Sequence, residues 1–124
     1  MGADMTALSN LAVAFVALSH LGFLVLEMFL WERPLGLRVF GLTPGVAKVS
    51  RVLAANQGLY NGFLAAGLIW GLALGAQGGS VKVFFLGCVI TAGLFGGATV
   101  SPKIFLVQAL PGAIAMALVL ATAP

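Results

Sequence analysis

The sequence predicts an all-α integral membrane protein, a polytopic four-helix bundle. Three observations carry that expectation. Of 124 residues, 61% are apolar and only 7% are charged, against about 25% charged in soluble domains, and the mean hydropathy is +1.15. The apolar residues gather into four runs, each near the ~20 residues that cross roughly 30 Å of hydrocarbon. None of the runs alternates apolar and polar residues as barrel strands do. The same numbers exclude a disordered chain, which is polar and charged. The single cysteine, Cys88, excludes a disulfide scaffold. Six scattered cations build no nucleic-acid groove, so no nucleic-acid partner is expected.

The first helix is expected over 7–30, interrupted by Ser9, Asn10, Ser19, His20 and Glu27. It does not read as a signal peptide: Asp4 precedes it with no lysine or arginine, and the run is about twice the usual signal core. The second helix is expected over 44–76, its membrane part 52–76. Thr43 serves as N-cap and Pro44 stands at the first helical position, where a missing N–H costs nothing. The third helix covers 81–100, after a Gly78-Gly79-Ser80 turn. The fourth covers 104–122, where Ser101 and Pro102 repeat the cap-and-proline signal. Together they form one transmembrane domain over residues 1–124.

The long connection, 31–51, holds Glu32, Arg33, Arg38, Lys48 and Arg51. Leu35, Leu37, Val39, Phe40 and Leu42 are interleaved, which places part of it in the headgroup layer, with Lys48 and Arg51 snorkelling to membrane lipid. Cations on cytoplasmic loops set orientation. The first and third loops share Arg33, Arg38, Lys48, Arg51 and Lys103, and the opposite side has only Lys82. Both termini are therefore expected on the non-cytoplasmic side, with the long first loop cytoplasmic.

Seventeen glycines allow close backbone approach between helices. Ala54, Gly58, Gly62 and Ala66 form one four-spaced stripe on the second helix. Gly67, Gly71 and Gly75 form another on its opposite side, and Gly93 and Gly97 repeat the spacing on the third. Packing inside the bundle and homo-oligomer formation through these stripes both remain open. No internal repeat supports an inverted-repeat transporter.

Ionisable groups inside a span are costly and usually functional. His20 and Glu27 qualify, seven residues apart and about 10 Å along one helix face. Counting from the loops, Glu27 shares a depth with Asn56, Gln57 and Gln108, while His20 shares a deeper tier with Tyr60, Asn61 and Thr91. Each has a plainer rival. Amides serve as interhelical glue worth about 0.6 kcal/mol, Glu27 can snorkel toward Arg33 or Lys48, and His20 beside Ser19 can be a packing residue. An acid, an imidazole and four amides at matched depths exceed what packing requires. One histidine, one cysteine and one buried acid fall short of a zinc or di-iron ligand set, so neither metal nor cofactor is expected. No serine–histidine–acid set is available, since Asp4 lies outside the span. The glycines cradle no nucleotide, and Cys88 reads as a small apolar residue.

His20, the run Glu27-Met28-Phe29-Leu30-Trp31, Phe40-Gly41-Leu42 and the run from Leu53 to Ala65 resemble a family of small bacterial membrane proteins, domain of unknown function thirteen-oh-four. The likeness extends through Gly93, Gly97, Gln108 and Pro111, nearly the whole chain. The stretch Asn56 to Phe63 is its specific part. The resemblance implies a multi-pass protein of the bacterial inner membrane and implies no activity.

The favoured expectation is an intramembrane polar pocket that binds, and as an enzyme would transform, a small or lipid-like molecule. Glu27 and His20 are the candidate proton-handling or cation-binding pair and the catalytic candidates. Asn56, Gln57, Asn61 and Gln108 would orient the ligand, and Tyr60 would wall the pocket. The alternatives are a proton-coupled small-molecule transporter working as a dimer, and an accessory structural membrane protein. The likeness to small multidrug-resistance exporters is architectural only, because Glu27 sits near a helix end rather than mid-span.

Overall fold

The computed structural model describes residues 2–124, which are all-α with no strand among them. The α-helices are α1 (Gly2–Met28), α2 (Pro34–Phe40), α3 (Pro44–Ala73), α4 (Gly79–Thr99) and α5 (Leu110–Ala121). They number five, not the expected four. The additional helix, α2, occupies the long connection. Arg33 is extended at its N-cap and Pro34 opens its first turn. Gly41 closes it at φ +62°, the left-handed conformation that glycine adopts without a Cβ penalty. Trp31 lies 4.8 Å from the Phe40 ring and donates its indole N–H to Ser50 Oγ at 3.0 Å. Arg51 and Glu32 pair at 3.3 Å on the exposed surface.

Thr43 caps α3 as its sequence suggests, its Oγ1 accepting the Val46 N–H at 3.3 Å. The helix stops at Ala73, three residues short of the expected end. Gly75 there turns left-handed at φ +62°, and a 3-10 turn, Gly75–Gln77, leads into α4. Ser101 Oγ accepts the Lys103 N–H at 3.4 Å. The last helical stretch opens as a π turn over Phe105–Ala109 before continuing as α5. Pro111, which brings no N–H to the ladder, follows that wide turn closely.

By length and composition, α1 and α4 could each cross a membrane. The polar cluster Asn56, Gln57, Tyr60 and Asn61 dilutes α3, which does not reach the same hydropathy. Phe105–Ala121 is a shorter apolar helix.

The chain divides into two compact units, 18–65 and the pair 2–17 with 66–124. In the larger unit the core consists of Val13, Val16, Leu68, Leu86, Val89, Ala115 and Val119. Glycine sets its helix spacing: a Cβ on Gly93 would stand 2.5 Å from the Ala109 backbone nitrogen and 2.8 Å from its Cα. Gly67 is covered by the Phe85 ring and Gly97 by the Phe105 ring. In the smaller unit, Ala47, Ala54 and Ala65 are buried with His20, Glu27 and Asn61. The buried line on α3 is Ala54, Gly58, Asn61 and Ala65, while Ala66 is exposed. A strict four-residue stripe drifts about 40° per step around a helix, whereas alternating steps of four and three stay on one line. The expected stripe therefore gives way after Gly58, and Asn61 takes the position in its line.

Apart from that core, many large apolar side chains lie outside while small and polar ones lie inside. Leu11, Phe15, Leu18, Val52, Leu53, Phe95 and Leu106 are all exposed. Because Gly93 touches backbone that cannot yield, Gly93→Ala should destabilise the protein by about 1–3 kcal/mol in detergent unfolding. Gly87→Ala on the same helix, where a Cβ meets nothing within 4 Å, should change stability by no more than about 0.5 kcal/mol.

Candidate functional site

Within 18–65, Glu27 and Asn61 come together where α1 meets α3. Gly58 makes the approach possible. A Cβ there would stand 2.7 Å from Met28 Cγ, 3.1 Å from Glu27 Cβ and 3.3 Å from the Leu24 carbonyl oxygen. Leu24 also covers Gly62, where a Cβ would be 2.7 Å from its Cδ1. With the backbones this close, a short amide one turn beyond Gly58 can reach across. Asn61 Nδ2 donates to Glu27 Oε1 at 2.5 Å. Gln57, one turn before Asn61 on the same side of α3, brings its amide near the Glu27 carboxyl.

Glu27 is 4% exposed, Asn61 9% and His20 1%. His20 meets Phe23 edge-to-face at 5.2 Å, and two turns of α1 separate it from Glu27. Among the described residues the ion pair is Arg51–Glu32, so neither Arg33 nor Lys48 neutralises Glu27. Its partners are amides.

The structure revises the expected registry. Asn61, placed by counting in the tier of His20, sits instead at the level of Glu27. The helices meet at Gly58, so α3 is displaced along α1 relative to a count from the loops. Asn56 and Tyr60 do not join the buried cluster. Both are exposed, since they lie about 140° and 100° around α3 from Asn61. Tyr60 stacks at a tilt on Phe63, 5.9 Å away. Gln57 is at the rim, exposed and near Glu27. Gln108 belongs to the other unit, half-buried within the π turn. Thr91 is exposed and returns its hydroxyl to the Gly87 carbonyl at 2.8 Å.

One polar residue escaped the sequence reading. Lys82, counted as a marker of the non-cytoplasmic side, is 8% exposed, and its Nζ donates to Asn10 Oδ1 at 3.2 Å. The available signal is the glycine pair Gly71 and Gly78: a Cβ on Gly78 would run into the Gly71 backbone, so the two helices approach closely enough there for Gly71 to receive the lysine stem. Among the described residues no three His, Cys, Asp or Glu side chains converge as a metal ligand set. The chemistry open to the Glu27 site is that of one acid oriented by amides: hydrogen bonding, cation binding or proton exchange.

Comparison with known proteins places these residues in a wider group. The model of a family described as protein of unknown function (DUF1304) matches residues 14–120, which include every residue of the site. The uncharacterized protein YpaA of Lactococcus lactis is 31% identical over 106 residues, covering 84% of this chain and 89% of that protein. No solved structure matches the chain significantly.

The geometry separates the two asparagines of α3. Asn61→Leu should destabilise the protein by about 1–3 kcal/mol, because it strips a donor from a buried carboxyl. Asn56→Leu, on an exposed face, should stay within about 0.5 kcal/mol of wild type. Chemical unfolding in a single detergent reads both.

Proposed function

The chain belongs to the family of proteins of unknown function DUF1304, and on that premise we propose that it is a multi-pass inner-membrane protein with a ligand site at Glu27. In this reading α1, α3, α4 and the stretch 105–121 cross the bilayer as a four-span bundle. The short α2, with Arg33, Arg38, Lys48 and Arg51 around it, lies at the cytoplasmic headgroup layer. Both termini then face away from the cytoplasm. What supports the membrane reading is the inverted distribution of side chains. A chain that buries alanine, glycine and a carboxyl group while exposing Leu11, Phe15 and Phe95 is built for an apolar surrounding, not for water.

The site reading rests on one observation. Glu27 is a buried acid in an apolar helix whose partner is the Asn61 amide, with the Gln57 amide nearby, rather than a cation. Amides fix the direction of the carboxyl without neutralising it, so its capacity to take a proton or a cationic or hydroxyl group of a small or lipid-like molecule is retained. His20 is the second member of the site, two turns along the same helix, and Gln57 stands at its rim. Asn56, Tyr60 and Gln108 have weaker claims from their positions. A second reading has its own support: the short Asn61–Glu27 bond beside Gly58 would also serve as a structural clasp between α1 and α3.

Glu27→Gln separates these readings, since glutamine still offers Asn61 an acceptor oxygen. For a ligand site, native mass spectrometry of the gently extracted protein should show a small molecule or lipid retained by wild type and lost from a folded Glu27→Gln variant. A clasp alone predicts no retained molecule, or equal retention by both. The orientation is tested separately by single cysteines in a Cys88→Ala background. A membrane-impermeant maleimide should label a cysteine at Thr6 in intact cells and one at Arg38 only after lysis; the reverse pattern would invert the topology.

A further inference from the structure

Lys82 presents a problem that the Glu27 site does not solve. Lysine is almost never fully buried unless paired, and a buried charge needs a partner of opposite sign or a full set of hydrogen bonds. Yet Lys82 is 8% exposed. Its stem packs over Gly71, where a Cβ would come within 2.7 Å of Lys82 Cγ and 3.2 Å of its backbone nitrogen. The ammonium has three donors, and the acceptor it meets is the neutral amide oxygen of Asn10 at 3.2 Å. No carboxyl pairs with it among the described residues, where the ion pair is Arg51–Glu32.

The surroundings add positive potential rather than cancel it. Lys82 stands in the first turns of α4, whose N-terminus carries the positive end of the helix dipole. Gly78, at the N-cap, supplies no side-chain acceptor. Asn10 has committed its oxygen to Lys82, which leaves its two amide hydrogens as donors. All of these groups lie within 2–17 and 66–124, one compact unit. The result is a cation and an amide donor brought together by a glycine cradle, with no counter-charge paired to the cation among the described residues.

We propose that Lys82 and Asn10 form a binding site for a phosphate group of net negative charge, carried either by an anionic lipid headgroup, as distinct from the zwitterionic phosphatidylcholine, or by a free phosphate ion. The charge and donor set match an oxyanion, and a lysine is a suitable point charge for phosphate. The site is separate from Glu27 and stands whether or not Glu27 binds a ligand.

The test uses the full chain in phosphatidylcholine nanodiscs, in phosphatidylglycerol nanodiscs, and in phosphatidylcholine nanodiscs with added inorganic phosphate. Wild type should gain roughly 5 °C in apparent Tm with one of the two phosphate sources. A gain in phosphatidylglycerol alone identifies a lipid headgroup, and a gain with inorganic phosphate identifies a free ion. Lys82→Arg should keep most of the gain, and Lys82→Met, which preserves the stem volume, should lose most of it. Should Lys82→Met fail to fold, Gly71→Ala displaces the lysine stem while leaving every charge in place and should also reduce the gain. No gain in wild type from either source would overturn the proposal. So would an equal gain in Lys82→Met, or in Gly71→Ala where that is the variant measured, since it would then come from Arg33, Arg38 and Lys48.

Discussion

A carboxyl group removed from water costs several kcal/mol unless its oxygens are hydrogen-bonded, and this constraint governs how α1 and α3 meet. Glu27 is buried on α1, so α3 must bring donors to it. Asn61 is the donor that reaches it, with the Gln57 amide nearby. Asparagine is short, which requires the helix backbones to come close, and Gly58 removes the one side chain that would hold them apart. Acid, amide and glycine thus form a single arrangement. Leucine at Gly58 would separate the helices as surely as leucine at Asn61 would strand the acid.

The same economy of volume runs through the rest of the chain. Gly93 and Ala109, Gly97 and Phe105, and Gly71 and Lys82 are contacts in which one partner gives up a side chain to admit the other. Packing of this kind suits helices in lipid, where apolar burial supplies little drive between them and close contact and polar bonds supply more. Many large apolar side chains, Leu11, Phe15 and Phe95 among them, remain on the outside. Such a distribution exposes a large apolar surface, which supports the proposed membrane reading.

Much of this was legible in the residues. Thr43-Pro44 fixed where α3 begins, the apolar runs located the long helices, and an acid among apolar residues singled out Glu27 before any coordinate was known. What the residues concealed was register and rotation. Counting depth from loop cations treats each helix as straight, normal to the membrane and anchored at its charges, whereas the real anchor is the contact at Gly58. That difference moved Asn61 to Glu27 and turned Asn56 and Tyr60 to the outside. The short α2 was hidden because seven residues give too little periodicity to distinguish a helix from an interfacial loop. Lys82 was hidden for another reason: a lysine near a loop is normally exposed, and only the glycine cradle at Gly71 buries this one.

Glu27 and Asn61 form one unit, in which neither buried polar group is satisfied without the other. A double-mutant cycle in one detergent tests it directly, with Glu27→Leu, Asn61→Leu and the pair together. The double variant should be more stable than Asn61→Leu alone, because removing both polar groups leaves nothing buried without a partner, with a coupling of at least about 1 kcal/mol. Losses that add to within about 0.5 kcal/mol would mean that the two residues are energetically independent. The contact on which the α1–α3 arrangement is argued would then carry no stability.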